Sequence, residues 1–150
     1  MKHEKRFILL AVGLTVSAPA LAQELPPGVV MVNAAKAQWD KTQTGEQLKV
    51  IGDQAKPGPY VYLTRPRPGR IAASEPHTHP DDRTYTVIAG TWYVGFGTKF
   101  DESKLIALSA GSYYTEPKGV PHFIVIKDEG VVVQITGNGP TRLIAVDAKK

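Results

Sequence analysis

The chain has 150 residues, 42% of them hydrophobic and 21% charged, the size and composition of one globular domain. It contains no cysteine, which excludes a disulfide framework, a lipid-modified cysteine, thiolate catalysis and cysteine-ligated zinc. The net charge of +4 falls to +2 when residues 1–22 are set aside, since they hold three of the 18 basic and one of the 14 acidic residues (15 minus 13); with no Lys/Arg run among aromatics, nothing argues for a nucleic-acid partner.

In chain order, Lys2, Lys5 and Arg6 precede an uncharged run from Phe7 to Ala22 that ends in Ala20-Leu21-Ala22 before Gln23. A basic start, a short apolar stretch and a small-x-small ending predict a signal peptide over residues 1–22, cleaved after Ala22. The run is 16 residues long with Pro19 inside it, whereas a membrane-spanning helix needs roughly 20 apolar residues. The mature protein is therefore expected in the periplasm or secreted, with no membrane attachment after cleavage. Residues 23–45 are expected to form an N-terminal arm, with Val29–Val32 as a strand or packing segment and Ala34–Trp39 as a short helical alternative.

From Glu46 onward the chain becomes a series of short β-type runs: 47–51, 60–64, 71–73, 84–89, 91–94, 111–115, 123–126, 131–136 and 142–146. Turn signals separate them at Pro57-Gly58-Pro59, Pro66–Gly69, Asp128-Glu129-Gly130 and Gly137-Asn138-Gly139-Pro140. Many short strands at roughly ten-residue spacing predict an all-β sandwich or barrel over residues 46–147. Phe100–Leu105 breaks the pattern, and Asp101 there suits the cap of a short helix or loop.

Outside the leader the histidines are His77, His79 and His122. On a strand, side chains two apart leave the same face, so His77 and His79 have the spacing of two ligands to one ion. His122 follows the turn-rich stretch 117–121 and can supply a third imidazole from a facing strand. Glu116, beside Pro117, is a candidate fourth ligand or an acceptor for an imidazole N–H, against the alternative of a solvated strand-end charge. Gln134, opposite in parity to Val131, Val133 and Ile135, is a second candidate of that kind. Ser103 and Ser112 have no histidine at a spacing that would make a hydrolase triad. Tyr85, Trp92, Tyr113, Tyr114 and Phe123 read as packing residues.

These residues resemble the cupin superfamily. Its first motif, H-x-H-x3-E-x6-G, is matched by His77, His79 and Gly90 but carries Arg83 at the glutamate position; its second, G-x5-P-x-G-x2-H, is matched throughout by Gly111, Pro117, Gly119 and His122. The chain is similar to small exported bacterial cupins, and the resemblance extends over most of residues 46–147. It implies a double-stranded β-helix, or jelly-roll barrel, with one divalent ion (Fe, Zn, Ni, Mn or Cu) in its interior. It further implies a small-molecule ligand or substrate, and a homodimer as in many cupins.

Arg83 departs from the pattern where metal-binding relatives carry their fourth ligand. A guanidinium about 6 Å from a divalent cation would be repelled by ~5 kcal/mol at an effective dielectric of about 20. Arg83 either turns aside onto Asp81 or Asp82, holds an anionic substrate together with Tyr85 beside a three-histidine metal, or marks a barrel without metal. The functional readings are a metal-dependent enzyme such as an oxygenase or isomerase, a non-catalytic ligand-binding barrel, and a barrel that the ion only stabilises.

Overall fold

A computed structural model describes residues 25–69 and 71–146. The expected signal peptide and its cleavage site lie outside the described residues. Among those residues no helix is long and apolar enough to cross a membrane.

The strands are β1 (Asp40–Lys41), β2 (Gly45–Ile51), β3 (Gly58–Pro66), β4 (His77–Thr78), β5 (Arg83–Ala89), β6 (Thr91–Phe96), β7 (Ile106–Ser109), β8 (Tyr113–Glu116), β9 (His122–Val125), β10 (Val132–Gly139) and β11 (Ile144–Ala145). They form two antiparallel sheets, ordered β1-β2-β3-β10-β5-β8 and β11-β4-β9-β6-β7. The all-β barrel expected from the sequence is the observed architecture.

Alternation of side chains explains how the two sheets enclose one core. Along β5, Arg83, Tyr85 and Val87 are buried while Thr84 and Thr86 are half-buried, and along β10 Val133 and Ile135 are the buried pair. These side chains meet Tyr60, Trp92, Val94, Ile124, Ile126 and Val131 between the sheets. A period of two puts every second residue on the core face.

Several local expectations are corrected. Val29–Val32 forms neither strand nor packed arm: Val30 is 58% and Met31 71% exposed. Ala34–Trp39 is a turn held by Asn33, whose carbonyl accepts from the Lys36 and Ala37 amides, and the arm is fixed instead by Arg65 stacked 3.7 Å from the Trp39 ring. The run Ile71–Ala73 is not a strand, because Ser74 closes a turn back onto Ile71 and gives the 3-10 helix Ala72–Ser74. The turn expected at Gly137–Gly139 is a continuation of β10, paired with Tyr60, Pro59 and Gly58 of β3. Strand β7 was not signalled in the sequence, since it runs along a sheet edge with little burial and no clear alternation. Asp101 does cap a short 3-10 helix, Glu102–Lys104, as expected.

Candidate metal centre

His77 and His122 are directly opposed across the antiparallel pair β4–β9, which brings residues 45 positions apart in the chain face to face. His79 lies just beyond the end of β4, so its side chain is placed by a tether and not by the strand: its Nδ1 donates to the Arg142 carbonyl at 2.8 Å. The ring centroids are 4.1 Å apart for His77 and His122, 5.0 Å for His77 and His79, and 5.4 Å for His79 and His122. One ligand atom from each ring can be chosen so that all three lie within 4.8 Å of one another, forming a group able to hold a metal ion.

The chemistry of the donors fits that use. His77 Nδ1 lies 2.9 Å from the Glu75 carbonyl and His122 Nδ1 3.0 Å from that of Val120. A carbonyl only accepts, so each Nδ1 carries the proton and each Nε2 presents a lone pair. Burial pushes His79 down to about 3 and His122 to about 4, and lowers His77 as well. All three are therefore neutral near pH 7, the protonation state that binds a divalent ion.

Arg83 does not form the ion pair at the rim with its neighbouring aspartates that would turn it aside. Asp81 accepts from the Tyr60 and Thr141 hydroxyls, and Asp82 accepts from the Lys118 amide. Strand parity turns Arg83 inward with Tyr85 and Val87, where it is 5% exposed, donates from Nη2 to the Tyr62 hydroxyl at 3.1 Å and lies 5.1 Å from the Tyr85 ring centre. Its Nε has no partner.

Glu116 is also not the solvated strand-end charge. It stands opposite Arg83 on β8, is 2% exposed, and places Oε1 3.1 Å from His122 Nε2 and 3.8 Å from His79 Nε2. Burial raises its pKa to about 7 against the opposing pull of the Arg83 charge. Gln134 is not brought to this cluster, because it points away from the face on which Val133 and Ile135 are buried. Tyr85 stacks on Tyr114 at 4.5 Å and walls the site, whereas Tyr113 is exposed and not a packing residue.

The histidines open onto a cavity of about 230 Å³, lined by His77, His79, His122, Arg83, Tyr62 and Tyr85 on its polar side and by Ile71, Trp92, Ile124, Ile135 and Leu143 on its apolar side. No carboxylate lines it among the described residues.

Two antiparallel sheets closed around a triad of histidines define a cupin barrel. The chain matches the model of the ChrR cupin-like domain over residues 27–142 and belongs to that family. It is similar to germin-like proteins 8-1 and 8-2 of Oryza sativa subsp. japonica, 41% and 38% identical over 56 residues, 35% of this chain and 26% and 25% of theirs. The chain thus matches about a quarter of the length of these curated relatives. Its fold is also similar to an RmlC-like cupin from Shewanella frigidimarina (TM-score 0.56, 15% identity, 72% of this chain and 89% of that one). The polyketide cyclase RemF from Streptomyces resistomycificus gives a TM-score of 0.59 at 14% identity, covering 81% and 88% of the two chains. The salicylate 1,2-dioxygenase of Pseudaminobacter salicylatoxidans gives 0.53 at 13% identity, covering 70% and 31%.

Proposed function

We propose that the protein is an exported cupin that holds a divalent metal through His77, His79 and His122 and takes a small anionic substrate in the adjoining cavity. The observation that carries this reading is the set of three neutral imidazoles, each with Nδ1 tied to a main-chain carbonyl and each offering a ligand atom within 4.8 Å of the others. A divalent ion held there supplies a Lewis acid with open positions for a small ligand. Of the two arginines that line the cavity, Arg83 and Arg142, Arg83 is the buried one placed to orient a carboxylate, and the ring of Tyr85 lies against its guanidinium on one side. The apolar wall of Trp92, Ile124 and Ile135 excludes water and bounds the substrate to a small molecule. Oxygenase-type chemistry, which would call for no carboxylate acid or base in the wall, is the reaction class this lining supports.

A second reading, a non-catalytic barrel that captures a small anion, is favoured by the same absence of a carboxylate among the lining residues. The two separate on metal-loaded protein offered a panel of small carboxylates, with binding followed by calorimetry and oxygen by electrode. The enzyme reading predicts oxygen uptake with one class of carboxylate; saturable binding without turnover of any kind supports the capture barrel. In both, Arg83→Met is expected to weaken carboxylate binding about 10- to 100-fold, the worth of a hydrogen bond to a charged group, with metal content unchanged. Unchanged carboxylate affinity in that variant would remove Arg83 from the site.

A further inference from the structure

We infer that Glu116 is the fourth protein ligand of the metal, and that positions 83 and 116 are interchangeable hosts for one carboxylate that here has moved across the β-ladder. The inference rests on the three-histidine site proposed above. The register provides the ground: Arg83 and Glu116 are directly opposed Cα partners on β5 and β8, at the ends of the two strands beside the histidines. The basic residue thus occupies the place where the cupin pattern has its acid, and an acid stands immediately across from it.

The local geometry points the same way. Both oxygens of Glu116 are buried without a hydrogen bond of ordinary geometry, so the opposed Arg83 does not satisfy them and the Tyr85 hydroxyl does so at most weakly. A buried carboxylate left unpaired is costly, and native interiors pair such groups or use them to coordinate metal. Oε1 faces the Nε2 atoms of His122 and His79 at 3.1 and 3.8 Å. Both nitrogens present lone pairs, since the Nδ1 protons are committed to the Val120 and Arg142 carbonyls. Two acceptors at that separation are reconciled by a metal cation held between them or by a proton on Glu116. Metal–ligand bonds of roughly 2.0–2.2 Å place neighbouring ligand atoms about 3 to 4 Å apart, the spacing observed.

Charge assigns the two side chains different tasks. Glu116 does not line the cavity and Arg83 does. With a carboxylate on the ion, the guanidinium opposite is offset and its positive charge is directed at the open space, which selects for an anion.

A competing arrangement has Glu116 protonated and donating to His122 Nε2 without ligating anything. Glu116→Gln separates the two, because the amide keeps the size and the hydrogen-bond donor but loses the charged oxygen. Cobalt(II) is the probe: affinity is read by competition with a chelator, coordination by visible absorption, and folding by circular dichroism. Ligation predicts that Glu116→Gln weakens cobalt(II) at least about 100-fold, beyond the 10- to 100-fold typical of outer-shell changes, and alters the visible bands. The double variant Arg83→Glu/Glu116→Gln, which also serves if the single variant does not fold, is expected to return within about tenfold of wild type. Wild-type affinity and bands in Glu116→Gln, or no recovery in the folded double variant, would overturn the inference while leaving the histidine site standing. Retention of cobalt(II) by His122→Ala would instead overturn the site on which it rests.

Discussion

The carbonyls of Glu75, Arg142 and Val120 each take the Nδ1 proton of one histidine, and burial then holds the rings neutral. This has a consequence for stability in the metal-free protein. An imidazole titrates near 6.5 when unfolded, whereas His79 and His122 fall to about 3 and about 4. A depressed histidine contributes stability that is present above 6.5 and lost as pH falls through the folded value, because the unfolded chain then binds more protons. Glu116 acts in the opposite sense: raised from 4.5 to about 7, it contributes stability below 4.5 that is lost as pH rises through 7. The histidines outnumber the single acid, so with chelator present stability is expected to peak near pH 6.5 and to fall on acidification, more steeply below 4.5. Urea midpoints across pH 4 to 8 check this, and a midpoint that climbs from 6.5 down to 4.5 would contradict neutral imidazoles.

Much of this site was legible as residues. The two motifs named the three histidines, since their spacing encodes a strand partner and a turn that the fold needs for other reasons. For Arg83 and Glu116 the sequence left an inward and a solvent-facing placement open, because their charges suggest solvent while the alternations Arg83-x-Tyr85-x-Val87 and Tyr114-x-Glu116 carry the signal that both point inward. Gln134 was nominated by the same parity rule, which puts it outside; the rule gives a face, and only the partner strands decide which face is the interior.

At the scale of elements, β10 is the strand on which the first sheet depends, paired on both sides with β3 and β5. Its glycine-rich end reads as a turn, but Gly137 is needed within the strand because the Tyr60 hydroxyl packs against it and Asp81 Oδ2 would lie 2.6 Å from any added Cβ. Asp81 in turn receives the Tyr60 and Thr141 hydroxyls, which anchors the chain just before Arg142, the residue whose carbonyl orients His79. Gly137→Ala is therefore expected to cost about 1–3 kcal/mol, as overpacking of a filled interior does. Equilibrium urea unfolding measures it, and a loss below about 0.5 kcal/mol, the usual range of an inert surface change, would show that the contact relaxes freely. Edge elements such as β7 stay invisible in the sequence because little burial selects their pattern.

For the molecule as a whole, three neutral imidazoles whose ligand atoms lie within 4.8 Å of one another would bind a metal in the folded state and not in the unfolded one. Linkage then makes the ion part of the stability: at about 1,000 times its Kd it adds roughly 4 kcal/mol. Thermal melts with and without metal should separate by several degrees, and the separation should vanish in His122→Ala. An equal shift in that variant would mean that the ion acts elsewhere on the surface.

The most direct test of the central claim is elemental analysis of the protein purified without a metal-affinity tag, beside His79→Ala prepared identically. The account predicts close to one divalent ion per chain in the wild type and its loss in the variant. Absence of metal from both, even after reloading, would contradict it and leave a metal-free barrel in which Arg83 alone receives the ligand.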